Sequence, residues 1–239
     1  MTDQPPSAVG RRHLLGVSIS AAGAIALSAC GEPRPKAGQP GAPAEDEVSV
    51  TPPEDLMREH GVLKRVLLIY REGIRRVETA DQLPAQPLNA GAAIIRSFIE
   101  DYHEQLEEKY VFPRLTQAGK LADVTAVLRT QHQRGRVLTD RVLATTSGTA
   151  PDRATRDGLV QDMSAFIRMY EPHEAREDTV VFPTLRDVMR AKEFRDLADI
   201  FEDEEHRRFG PTGFEGVVDK VADIEKRLGI YDLSQFTPT

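Results

Sequence analysis

The chain has 239 residues, 29% charged and 6% aromatic, with no Trp and one Cys, which is enough for one single-core domain with appendages. Its net charge of −7 leaves no basic face to neutralise phosphates. No basic stripe with interleaved aromatics appears either, so a nucleic-acid partner is excluded.

Residues 1–29 read as a targeting segment. Gly10-Arg11-Arg12-His13-Leu14-Leu15 is a twin-arginine pattern, followed by a Gly/Ala/Ser-rich apolar stretch to Ala29 that is short for a membrane span. It ends in Leu27-Ser28-Ala29-Cys30, which resembles the lipobox of bacterial lipoproteins, where the Cys is lipidated and becomes the mature N-terminus. That resemblance implies lipidation at Cys30 and a periplasmic protein that meets the membrane only through its N-terminal lipid anchor. With the lone Cys so used, no internal disulfide forms, and stability must come from core packing and metal. Residues 30–53, with Pro33, Pro35, Pro40, Pro43, Pro52 and Pro53 among Gly, Ala and acidic residues, predict a flexible linker.

Helical periodicity begins at about residue 54 and continues to about 190. In the first predicted helix Leu56, His60, Leu63, Leu67, Tyr70, Ile74 and Val77 share a face, so His60 points inward. The second carries Ala92, Ile95, Ile99, His103, Leu106 and Tyr110, with Glu107 one turn beyond His103. The third carries Leu121, Val124, Leu128, His132, Gly135 and Val142, and Gly135 permits a close helix approach. The fourth carries Leu159, Met163, Phe166, Tyr170, His173, Glu177 and Val180. Pro172 falls inside it and predicts a kink that aims His173 rather than a helix end. Residues 191–239 predict one or two further helices, with Phe194, Leu197, Ile200 and Phe201 on one apolar face and Val217, Val221, Ile224 and Leu228 on another, separated by Gly210-Pro211.

The central feature is a duplication. His103-x-x-x-Glu107 followed by Val111-Phe112-Pro113 recurs as His173-x-x-x-Glu177 followed by Val181-Phe182-Pro183, and a helix with one His, His60 or His132, precedes each copy. His and Glu four apart share a helix face. Each unit is an αα-hairpin offering one His and one His-Glu pair, and two units related by a pseudo-twofold axis bind two ions in a shared core. Histidine with carboxylate suits iron, manganese or zinc. A lone His on an apolar face is usually a hydrogen-bonded core residue, but here four of the six His occupy equivalent places in a repeat. The trailing Phe-Pro predicts closure of the bundle end, with Pro113 and Pro183 stopping the helices.

His60, His103-x-x-x-Glu107, His132 and His173-x-x-x-Glu177, with the Phe-Pro that follows, resemble the bacterial hemerythrin-like proteins, or HHE cation-binding domains. The resemblance implies an all-α, up-down-up-down four-helix bundle over residues 54–190 with one or two extra C-terminal helices. It further implies a non-haem site for two iron ions, oxo- or hydroxo-bridged, with Glu107 and Glu177 bridging and the four His terminal. A ferritin-like site would need Glu-x-x-His twice. Here Glu100-x-x-His103 occurs once, and Tyr170 stands at the matching position before His173.

Six such residues leave an open position on each iron. That suits a module binding or sensing dioxygen or nitric oxide; the alternative is a redox enzyme reducing peroxide, nitric oxide or dioxygen with an external electron donor. The chain shows no haem, flavin or iron–sulfur motif to relay electrons, which tilts the reading toward binding. His206 would close one iron as a fifth histidine, but it lies in a heavily charged segment and reads as a solvated surface residue. Glu104 and Glu174, each directly after a His, turn away from the metal face. Tyr102, Tyr110 and Tyr170 are expected to pack in the core.

Overall fold

The computed structural model describes residues 50–80, 82–148 and 151–238; the targeting segment, Cys30 and nearly all of the linker expected over 30–53 lie outside the described residues. Among the described residues every regular element is helical. These are α1 (Pro52–Ala80), α2 (residues 85–117), α3 (Ala122–Thr146), α4 (residues 153–188), α5 (Ala191–Phe209) and α6 (Gly213–Leu228). None is long and apolar enough to cross a membrane.

Pro52 and Pro53, expected in the linker, instead form the buried first turn of α1. First-turn amides have no intrahelical acceptor, so the missing N–H is harmless there. Thr51 fixes this start by donating from its N–H and its hydroxyl to Glu54 at 2.9 and 2.7 Å.

α1 packs against α2 and α4, and α3 packs against the same two, so the four long helices form a helical bundle. Leu56, Leu63, Ile69, Phe98 and Phe166 fill its interior. α6 lies along α1 and α2, where Arg65 forks onto the buried Glu225 at 2.9 and 2.6 Å. Leu197 and Phe201 of α5 are buried, whereas Ile200, expected beside them, is exposed.

Neither Pro113 nor Pro183 ends its helix: α2 continues through Phe112–Gln117 and α4 through Phe182–Val188. The turns Glu107–Val111 and Glu177–Val181 wind as π-helix, with the Phe112 N–H bonded to the Glu107 carbonyl and the Phe182 N–H to the Glu177 carbonyl. A wide turn already skips carbonyls, so a residue without an N–H costs little immediately after one. The freed carbonyl of Glu108 accepts from Arg129 at 2.8 Å. The extra residue advances the buried face by one position. Val111 and Val181 are fully buried, while Tyr110 and Val180, the positions that a 3.6-residue period selects, are only partly so. α4 runs unbroken through Pro172.

Gly135 makes room for a side chain rather than for a helix backbone. A Cβ there would lie 2.1 Å from the Tyr170 hydroxyl. Gly135→Ala is expected to destabilise the fold by about 1–3 kcal/mol. Gly158→Ala, in the α4 interior with nothing within 4 Å of the added carbon, is expected to stabilise by about 0.5–1 kcal/mol. Urea denaturation of both variants tests this opposition of sign.

Candidate metal centre

Two buried groups of potential ligands meet in the bundle: His60, His103 and Glu107 in one, His132, His173 and Glu177 in the other. Each group draws its lone His from α1 or α3 and its His-Glu pair from one face of α2 or α4. All six predicted residues are brought together.

The histidines turn Nε2 inward, toward the carboxylates. Glu107 Oε1 lies 3.6 Å from His103 Nε2 and Oε2 lies 3.5 Å from His132 Nε2, so its two oxygens face different groups. Glu177 Oε2 lies 3.1 Å from His173 Nε2 and 3.4 Å from His60 Nε2. His132 Nε2 and His173 Nε2 are 3.2 Å apart. Ligands about 2.1 Å from one ion and at right angles are separated by about 3 Å. The spacing therefore suits donors that share an ion.

The carboxylates supply the sharper indication. All four side-chain oxygens of Glu107 and Glu177 are buried without a hydrogen-bond partner. Such burial is costly unless positive charge compensates it. Burial, with Glu177 alongside, pushes Glu107 well above the usual carboxylate range, while His173 and His60 outweigh burial at Glu177 and hold it well below. Burial would lower His60, but Asp178 and Glu177 raise it to about 9; burial and His60 push His103 well below its ordinary value. The donor set thus fits metal cations: two carboxylates and four imidazoles, closed from water.

Every imidazole is held from behind at Nδ1. Glu59 takes His103 at 2.6 Å and Gln131 takes His173 at 2.8 Å. Asp178 takes His60 at 2.7 Å and Glu108 takes His132 at 3.0 Å. The contacts form two pseudo-twofold pairs: Glu59 and Gln131 each hold a His of their own hairpin, whereas Asp178 and Glu108 each hold a His of the other. Phe182 stacks on His60 and Phe112 on His132, at 5.6 and 5.7 Å between ring centroids. The repeated Phe-Pro therefore contributes ring positioning, which sequence reasoning did not assign to it. Glu59, Glu108, Gln131 and Asp178 were also missed, although each adjoins a ligand in the chain at duplicated places. One step around a helix aims the neighbour at the next helix, where it meets another ligand's back.

Glu104 and Glu174 are buried outside the two groups. Glu104 accepts from the Tyr170 hydroxyl at 2.6 Å and from Arg136 at 2.7 Å, so Tyr170 carries a hydrogen bond in addition to packing. Arg136 also donates to Glu108 at 2.9 Å, and its guanidinium supplies the positive charge among Glu104, Glu108 and His132. Glu174 meets Lys64 at 3.3 Å. Tyr102 is buried against Phe209 and Tyr110 packs near Phe201. His206 is exposed on α5 and belongs to neither group.

A separate cluster, Asp55, Glu59 and Glu205, gathers where α1 meets α5. Burial and the neighbouring Glu205 raise Asp55 to about 6.

The family described as hemerythrin HHE cation binding domain matches residues 51–185, a span that contains all six inward-facing candidate ligands. Uncharacterized proteins from two strains of Mycobacterium tuberculosis and from Mycobacterium bovis are each 72% identical over 242 residues, covering 100% of this chain and 95% of the relative. No solved structure matches the chain.

Asp55 titrates higher in the folded state than its ordinary value near ~4. The stability tied to it is present below about pH 4 and lost as pH rises through about 6. In chelator-treated protein, Asp55→Asn is therefore expected to raise stability at pH 7 relative to pH 4 by on the order of 2 kcal/mol. Denaturation midpoints at the two pH values check the sign.

Proposed function

The chain belongs to the hemerythrin HHE cation-binding family, and from that premise we propose that it is an exported di-iron protein that binds or senses dioxygen or nitric oxide. The observation that carries the metal reading is the pair of buried, unpartnered carboxylates facing four Nε2 atoms. His60 and His103 would hold one iron, and His132 and His173 the other. Glu107 and Glu177 would bridge them, since each carboxylate faces histidines of both groups. Manganese or zinc would fit the same donors. The short links between consecutive long helices favour an up-down-up-down arrangement, which brings the duplicated hairpins face to face.

When bound, an iron pair supplies electrons to a diatomic ligand. The protein's part is positioning and exclusion. Glu59, Gln131, Asp178 and Glu108 fix the tautomer and aim of the imidazoles by accepting from Nδ1–H, which also makes each Nε2 a stronger donor. Phe112 and Phe182 cover two of the rings. None of the six ligands is more than 4% exposed, so only a small ligand reaches them without rearrangement. That enclosure supports diatomic binding over turnover of a larger substrate.

The twin-arginine and lipobox patterns support export to the periplasm and tethering through Cys30. Twin-arginine substrates cross the membrane folded, so iron loading would precede export.

Asp178→Asn and Glu108→Gln are each expected to weaken iron binding about 10–100-fold while leaving the helical content unchanged; competition with a coloured chelator reads the affinity. For the wild type, anaerobic reduction followed by air is expected to give a spectrum that reverts on removing oxygen. Rapid catalytic loss of peroxide or nitric oxide with a supplied reductant would show an enzyme instead.

A further inference from the structure

Glu59 is bound on one side only. Its Oε2 accepts from His103 Nδ1 at 2.6 Å, whereas Oε1 has no hydrogen-bond partner although the residue is fully buried. Asp55 and Glu205 bring further carboxylate oxygens into this corner, and one oxygen of each of the three residues lies within 4.8 Å of the others. The Tyr102 hydroxyl is buried in the same corner, beside Glu59, and adds another oxygen there. Glu205 is fixed by the Phe214 N–H, which donates to Oε1 at 3.0 Å and leaves Oε2 available. The corner opens into a cleft of about 410 Å³ whose walls add Glu202 and Glu215. Arg58 offers these acids partial compensation only: it lies 3.6 Å from Asp55 and 3.4 Å from Glu215, with its guanidinium seated over the Phe214 ring at 4.4 Å.

We propose that Asp55, Glu59 and Glu205 bind a hard divalent cation, of calcium type, in an all-oxygen site distinct from the histidine centre. Oxygens up to 4.8 Å apart fit around one ion whose contacts are about 2.3–2.6 Å long. The three grouped donors are all carboxylates, with His206 only on the wall of the cleft, and such a set selects calcium, magnesium or manganese over softer metals. Few protein ligands and an open cleft place the affinity in the weak range of extracellular modules, on the order of 0.1–1 mM. Glu59 then touches both sites, with Oε1 toward the cation and Oε2 on His103. The inference does not depend on iron occupying the histidine centre.

Calcium chloride titrated into the chelator-treated full chain, followed by calorimetry, tests this. The wild type is expected to bind one equivalent. Asp55→Asn with Glu205→Gln is expected to weaken it at least tenfold, with circular dichroism unchanged, because the glutamine carbonyl can still accept from Phe214. His132→Ala with His173→Ala, which disrupts the iron site, is expected to bind calcium as the wild type does. No saturable calcium binding by the wild type, or equal binding by the Asp55/Glu205 variant, would overturn the proposal. Loss of calcium in the histidine variant with its fold retained would also overturn it, by placing calcium in the histidine centre. Loss of iron with calcium retained would leave this proposal standing and bear only on the iron site.

Discussion

Two carboxylates lie side by side in an apolar bundle with no donor to any of their oxygens, and the structure around them is organised by that burial. Residues on the inward stripe of a helix are ordinarily apolar; Glu107 and Glu177 replace such residues and put four carboxyl oxygens where water cannot reach them. Four imidazoles converge on them, and each imidazole is held from behind by an acceptor on another helix. Buried charge, imidazole ring and rear acceptor form one connected unit. Cations complete it, which accords with membership in a cation-binding family.

The wide turns Glu107–Val111 and Glu177–Val181 belong to the same unit. Each begins at a buried glutamate and ends one residue before Phe-Pro, so the Phe ring lands on the His of the other hairpin while the Pro sits where an amide is dispensable. The twofold pattern is broken at chosen places. Glu59 is a carboxyl group where its counterpart Gln131 is an amide, and Glu104 meets Tyr170 and Arg136 where Glu174 meets Lys64. A carboxyl group behind His103 and an amide behind His173 make the two His-Glu groups chemically different.

Duplication made the six inward ligands legible in the sequence: the His-Glu turn occurs twice and each copy has its upstream His. The long helices were legible from period alone, because Leu56 to Val77 and Leu159 to Glu177 keep a strict stripe. What failed was local. A 3.6-residue period cannot foresee a π turn, so Tyr110 and Val180 were placed on the buried face in place of Val111 and Val181. Proline reads as a stop unless the turn before it is known to be wide. Glu59, Gln131, Glu108 and Asp178 were hidden because their partners lie on other helices, far along the chain. Glu104 and Glu174, which follow the paired histidines, turn to other partners, whereas the imidazole holders adjoin His60, Glu107, His132 and Glu177.

The central claim is that Glu107 and Glu177 join two metal ions rather than enclosing one. Mössbauer spectroscopy of the protein loaded with isotopically enriched iron and oxidised in air tests it most directly. Two irons per chain should appear as quadrupole doublets without magnetic splitting at low temperature in a weak field, the signature of a coupled diferric pair. One iron per chain, or a magnetically split spectrum of isolated high-spin ferric ions, would contradict it.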